Sequence, residues 1–265
     1  MSNIDMYCIT NKKLSFLEKL PYFLGGVGKE NFNNRYILPK TSDNILYKEK
    51  YYSELTFQYW VWKNKLRDCK KDWIGFCQKR RFWVKPGTNL NSVNLDNLNN
   101  NILTQIDSSY QNYESFICSS INVSNVKKIK LLKRGWKNLL KNPSIFFKKK
   151  KQSINLHFDM HHGYNNLQKA INQIEDKDKY EFQNYVNQRD YFNPHIMFIT
   201  KPHVAKEWFD TLFPWLERCE DIFGFNDLNG YDTTRIYAYL AERYLSYWFK
   251  KYTRYKELPW VLINI

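Results

Sequence analysis

The sequence predicts an α/β fold: a mostly parallel sheet flanked by helices, with a helical C-terminal half. Three observations predict it. Apolar runs of strand length recur through the first 120 residues. A segment of clear helical period stands between two of them, and after residue 200 the helical period dominates.

The first run, IDMYCIT (4–10), is too short for a buried helix and reads as a strand. Gly25, Gly26 and Gly28 then read as a turn. As a phosphate cradle this GGxG lacks the Lys-Ser/Thr that completes such a loop. YYSELTFQYWVWKNKL (51–66) is the clearest helix, with Tyr52, Leu55, Tyr59, Trp62 and Leu66 at steps of three and four. It leads to the strand Trp73–Cys77, and strand, helix, strand is a right-handed crossover by default. Residues 87–112, rich in Asn, Asp and Ser, read as loop with one short helix, and SFICSS (115–120) as another strand.

HIMFITKP (195–202) is a strand halted by Pro202. The next helix runs through Val204, Trp208, Leu212, Trp215 and Cys219, and Pro214 is expected to kink or split it. A last long helix, 233–252, is capped near Asp232 or Thr233, and LPWVLINI (258–265) closes the chain as a strand. No repeat and no strong linker interrupts the pattern, so 1–265 reads as one domain carrying an insert at 126–152.

That insert holds most of the +15 net charge: residues 127–151 contain 11 Lys/Arg and no Asp or Glu. Ile129, Leu132, Trp136, Leu139 and Leu140 fall on one helical stripe, and Pro143 stops the helix. A basic amphipathic segment with an aromatic anchor fits an anionic membrane surface; the plainer reading is a helix covering the core with solvated lysines. The five cysteines are odd in number and lack CxxC spacing, which excludes a disulfide framework and suits buried, reduced thiols in a cytoplasmic compartment. The N-terminal residues show no signal-peptide core, and no apolar window is long enough to span a bilayer.

Ligands of open α/β sheets bind outside the carboxyl ends of the strands. Arg80 and Arg81 stand at such an end, and the planar guanidinium matches phosphate in a bidentate fashion. Pairing with a buried carboxylate is the alternative. LHFDMHHG (156–163) is the densest polar cluster. Asp159 and His161 would offer a metal a carboxylate and an imidazole from one side of an extended chain, and a histidine there could serve as acid or base. Asp43 and Asn44 either cap a helix or bond a polyhydroxylated ligand. Asn193 lies in an Asn-Pro turn. Glu242 and Arg243 are adjacent in a helix, about 100° apart around it, so they are not expected simply to pair with each other and one must find another partner. A partly buried Glu242 would suit a catalytic base.

Taken together, YCITNKKLSFLEKLPYFLGGVGKENF, TSDNILYKEKYYSELTFQYWVWKN, DWIGFCQKRRFW, the His-His pair, NPHIMFITK and RIYAYLAERYL resemble, in order, the bacterial glycosyltransferase family of domain of unknown function 4422 (DUF4422), whose members look like capsular and exopolysaccharide biosynthesis enzymes. The resemblance covers nearly the whole chain. Departures are Asn11 where the family often has His, Ser42 for Gly, and Gln78-Lys79 for His-Tyr; the basic insert is not a family hallmark.

The resemblance implies a glycosyltransferase-A-like, Rossmann-type fold and transfer of a sugar from a nucleotide sugar, UDP- or GDP-linked, to a glycan or lipid-linked acceptor. Arg80 and Arg81 would then receive the diphosphate. Thr10, Lys12, Asp43, Asn44, Tyr52, Glu54, His162, Asn193, Arg235 and Arg243 would bind substrate or nucleotide. Glu242 comes first as base and His161 second, with Asp159 beside it. No clear Asp-x-Asp motif is present, so either Asp159 and His161 hold Mn²⁺ or Mg²⁺, or the arginines neutralise the diphosphate without metal. The expected location is cytoplasmic, peripheral on the inner face of the membrane. The rivals are a non-catalytic basic protein binding membrane or nucleic acid, the latter disfavoured because no nucleic-acid motif appears, and an inactive transferase fold.

Overall fold

The computed structural model describes residues 2–40, 43–124, 127–147 and 152–265. Ser42, Val126 and the lysines at 148–151 of the basic segment lie outside them. The fold is mixed α/β, a mainly parallel sheet flanked by helices. Its strands are β1 (Ser2–Thr10), β2 (Phe23–Gly26), β3 (Tyr36–Ile37), β4 (Trp73–Gln78), β5 (Arg81–Trp83) and β6 (Gln105–Ile106). They continue as β7 (Ser115–Cys118), β8 (Ile121–Asn122), β9 (Tyr191–Phe192), β10 (Phe198–Thr200), β11 (Tyr255–Leu258) and β12 (Trp260–Leu262).

The chain forms two compact units: Met1–Ser119 with His195–Thr211 and Phe249–Ile265, and Ser120–Pro194 with Leu212–Trp248. The first holds the sheet, ordered β11-β7-β10-β4-β1-β2-β3. The pairs β4–β1, β1–β2, β2–β3 and β11–β7 are parallel, and β10 runs antiparallel to both neighbours. β5 turns back from β4 and pairs with β12, the strand read in LPWVLINI. Every residue of β4 is buried, as expected of a strand covered on both faces. Cys8 of β1 lies opposite Cys77 of β4, and both join Cys118, Trp73, Trp83 and Phe116 in one apolar core as free thiols.

Gly25 and Gly26 belong to β2 rather than to a turn. A Cβ on Gly25 would sit 2.7 Å from the Phe57 ring, and one on Gly26 would sit 2.8 Å from Leu38 and Phe32. They are glycines because neighbouring side chains occupy the space, whereas Gly28 takes the positive φ (+83°) of a true turn. The helix read over 51–66 is broken at Ser53 (φ +52°) into Glu49–Tyr52 and Leu55–Asn64. In the second of these Leu55, Thr56, Phe57, Gln58, Trp60 and Val61 are buried, while Tyr59 and Trp62 bond outward to Asp43 (3.0 Å) and Asp210 (2.9 Å).

The second unit is mainly helical, with β8 and β9 as a small antiparallel pair. Helix Asp176–Gln188 packs Phe182 against the rings of Trp215, Tyr244 and Tyr247. Buried Asp178 accepts hydrogen bonds from the hydroxyls of Tyr244 (2.9 Å) and Tyr247 (3.1 Å). Helix Pro202–Phe223 runs unbroken through Pro214, against the expected split: proline removes one donor but leaves the apolar face intact. Asp232 and Thr233 do not cap the last helix. They belong to a separate turn, Tyr231–Thr234, before Ile236–Tyr252. Among the described residues no helix is long and apolar enough to cross a membrane.

Candidate active site

In the first unit the parallel register pairs Cys8 with Cys77 and Ile9 with Gln78, so β1 and β4 leave the sheet side by side. Thr10 ends β1. Its carbonyl accepts from Val27 N (2.9 Å), and its hydroxyl donates to the Lys12 carbonyl (2.6 Å) and accepts from Lys12 N (3.0 Å). That tight turn sets Asn11, whose side-chain oxygen accepts from Lys79 Nζ. Space for a Cβ on Gly28 lies 3.5 Å from Asn11 and 3.6 Å from the Glu49 carboxyl. Asn11, Gly28, Glu49 and Lys79 therefore gather at the carboxyl ends of β1 and β4.

Arg80 and Arg81 follow on the turn into β5. Arg80 donates to the Ile263 carbonyl (3.3 Å) and to Asn264 Oδ1 (3.4 Å). Arg81 donates to Gln78 Oε1 (2.8 Å), and its Nε is buried without a partner. Every acceptor is neutral; among the described residues no carboxylate pairs with either arginine. A half-buried cation without a counter-ion pays in desolvation and gains only when an anion arrives. The alternative of a buried carboxylate partner does not hold.

The other residues expected in this unit have local roles. Asp43 accepts from the Tyr59 hydroxyl, and its carbonyl accepts from Asn64 (2.8 Å). Asn44 Oδ1 accepts from Leu46 N (3.1 Å), the capping alternative. Tyr52 is buried with Lys48 Nζ 5.7 Å from its ring centroid. The Glu54 carbonyl starts the next helix by accepting from Phe57 N (3.2 Å) and Gln58 N (3.3 Å).

The second unit gathers a different set. Residues 156–162 of LHFDMHHG are helical, inside Ile154–His162, and not extended, with Gly163 ending the helix at φ +99°. Two residues apart on a helix point about 200° apart, so Asp159 and His161 do not form the expected metal pair. Asp159 accepts from Asn165 N (2.9 Å), and burial raises its carboxyl pKa against the pull of Asn165, Asn138 and Lys141. The residues present do not fit a metal at this pair, and among the described residues no other cluster of three His, Cys, Asp or Glu could hold one.

His157 and His161, one helical turn apart, have ring centroids 4.6 Å from each other. Arg243 donates to His157 Nδ1 (3.3 Å) and Arg134 to His161 Nδ1 (3.4 Å). Arg134 also pairs with Asp232 (3.3 Å), whose carbonyl accepts from His162 Nδ1 (2.8 Å). His162 stacks on Tyr239 at 3.8 Å. Burial lowers all three imidazoles, His157 to about 2, His162 to about 3 and His161 to about 4. The Arg243 charge acts next on the first two, and Lys130 on the third.

Glu242 and Arg243 do pair with each other, against expectation. Their Cβ atoms diverge, but the long arginine side chain curls back, buried and lying 3.8 Å from the centroid of Phe192. Burial lowers the Arg243 pKa while Glu242 opposes it. Asn193, expected at substrate, is fully buried: its N–H donates to Ser246 Oγ (3.0 Å), and Ser246 donates back to Asn193 Oδ1 (2.7 Å). Arg235 stands at the break before the last helix, its carbonyl accepting from Tyr239 N (3.1 Å).

Sequence reasoning left out Glu49 in the first unit and Arg134 in the second; it noted Asn11 and Lys79 only as departures from the family pattern, Asp232 only as a cap, and His157 only as part of the LHFDMHHG cluster. The i,i+4 spacing of His157 and His161 was the available signal. Nothing in the sequence ties Arg134 to Asp232, 98 residues away.

The family described as domain of unknown function (DUF4422) matches residues 5–254. Among solved structures the chain is similar to the apo structure of WbbM, a bifunctional glycosyltransferase, with a TM-score of 0.70 and 19% identity. The match covers 99% of this chain and 46% of that one, so the chain spans about half of WbbM's length. No curated protein matches.

Proposed function

We propose, since the chain belongs to the DUF4422 family, that it transfers a sugar from a nucleotide sugar, UDP- or GDP-linked, to a glycan or lipid-linked acceptor in surface-polysaccharide biosynthesis. One observation carries the reading. Among the described residues Arg80 and Arg81 have no carboxylate partner; they stand at the carboxyl end of β4, beside Lys79 and the Thr10–Lys12 turn. A leaving nucleoside diphosphate supplies the negative charge these cations lack, and charge developing on it as the sugar–oxygen bond breaks is stabilised there. The fold shared with a glycosyltransferase supports the same reading.

The acceptor hydroxyl must lose its proton as it attacks the sugar carbon. Glu242, held by Arg243, is the first proton acceptor we offer and His161 the second. His157 and His161 accept at Nδ1 from Arg243 and Arg134, and His162 donates from Nδ1 to the Asp232 carbonyl, so each neutral ring offers only its Nε2 to a sugar hydroxyl. No step is drawn through a metal. The same reading puts the enzyme at the cytoplasmic face of a membrane, where a lipid-linked acceptor would lie.

A thermal-shift screen against UDP-, GDP-, CMP- and dTDP-sugars, with and without Mn²⁺, tests the reading. Stabilisation by one nucleotide class is expected. If no donor raises the melting temperature in either condition, a non-catalytic or inactive protein is the better account.

A further inference from the structure

Two short helices, Lys128–Arg134 and Trp136–Lys141, and the turn Pro143–Phe146 make up the described part of the basic segment. Leu131 and Ile145 are buried in a small cluster with Leu156 and Met160, and Leu139 packs against it. This seats the segment on helix Ile154–His162 and fixes which way its other side chains face. Ile129, Leu132, Trp136, Leu140 and Phe147 are left 68%, 55%, 52%, 74% and 78% exposed. The stripe expected to cover the core therefore contributes mainly Leu139 to it.

Lys127, Lys128, Lys130, Lys133, Lys137 and Lys141 are exposed on the same two helices. None is ion-paired among the described residues; Arg134 alone is, to Asp232. Lysines alone would be solvated surface, and apolar side chains alone would mark a protein interface. Both together, with no acidic residue from 127 to 151, fit a partner that is negative at its surface and apolar just beneath. A second copy would set this cationic segment against itself. Single-stranded nucleic acid rewards aromatic faces, whereas Ile129, Leu132 and Leu140 are aliphatic.

We propose that residues 127–147 dock the second unit on an anionic lipid bilayer, the five apolar side chains reaching the acyl boundary and the lysines lying among the headgroups. The docking stands on these residues and does not depend on the transfer reaction.

The test is co-sedimentation of the full chain with vesicles of phosphatidylcholine alone and of phosphatidylcholine mixed with phosphatidylglycerol. Binding is expected to be about tenfold or more stronger on the mixed vesicles and to weaken as salt screens the headgroups. Trp136→Ser with Leu140→Ser, and separately Lys133→Glu with Lys137→Glu, should each lower it about tenfold while the melting temperature stays near wild type, because all four side chains are exposed. Equal binding to both vesicles, no binding, or apolar variants that bind as wild type would overturn the proposal. So would a vesicle-free dimer that Trp136→Ser with Leu140→Ser abolishes. Turnover on a soluble acceptor is measured on the same variants and should be unchanged, so losing the docking leaves the transfer reading standing.

Discussion

Arg81 reaches Gln78 with one nitrogen and leaves Nε buried without an acceptor, so its charge is held ready but uncompensated. Arg81→Gln should weaken donor binding about 10- to 100-fold, the range of a charge-assisted hydrogen bond. Arg81→Lys should recover only part of it, since an ammonium lacks the planar fork. Titration calorimetry with the donor found by the screen checks this, and wild-type affinity in Arg81→Gln would remove the diphosphate from this position. Glu242→Gln should lower kcat by roughly 100-fold or more with donor affinity unchanged. It also leaves Arg243 without its carboxylate, so kinetics must be run below the variant's own melting temperature. Full activity there would rule Glu242 out as base. Arg81 was legible in the sequence because it closes an apolar run. The Glu242–Arg243 pair was not: helix geometry sends adjacent Cβ atoms apart, and only the burial of the long arginine turns it back.

At the scale of elements, β1, β4, β7, β10 and β12 were legible because short apolar runs between turn residues have few other uses, whereas β3, β5, β6 and β11 are too short or too polar to form such runs. The reading of β2 failed because a glycine serves a turn and a close approach equally well, and the difference lies in Phe57, more than thirty residues away. Gly25→Ala should therefore destabilise the fold by about 1–3 kcal/mol, the range for overpacking a core. Gly75→Ala should cost less. Its Cβ would meet Met6, whose flexible end can move, although Ile199 lies 3.0 Å away. Denaturant unfolding of both variants checks the order, and Gly25→Ala as stable as wild type would show that the Phe57 ring has room to give. The helix at 154–162 reads as extended from the sequence because the run is short and its His and Asp residues favour neither helix nor strand, and its register on Leu131 and Ile145 is a tertiary fact.

For the whole molecule, the three depressed histidines make a statement about stability and pH. Each has a folded pKa below its ordinary 6.5, so the unfolded chain binds protons that the folded chain refuses. Their stabilisation is complete above 6.5 and is lost as the pH falls, through about 4 for His161 and on toward 2 for His157. The melting temperature should drop between pH 6.5 and about 5, above the range where carboxylates titrate, and His157→Gln should flatten that drop. A melting temperature constant across this window would mean that the imidazoles are not excluded from protonation. The charge of the whole chain is the other property of this scale, and one segment carries most of it.

By itself the sequence determined the α/β class, the strands β1, β4, β7, β10 and β12, the cations at the end of β4 and the basic segment. Each is written in a local run of residues, and period, turn chemistry and charge need no distant partner. Only the tertiary structure decided that Arg80 and Arg81 meet no carboxylate among the described residues, that Asn193 is buried, that Arg134 reaches Asp232, and that Ile129, Leu132, Trp136 and Leu140 face outward. Those outcomes depend on which side chains from far along the chain fill the neighbouring space first, and close packing admits one such arrangement.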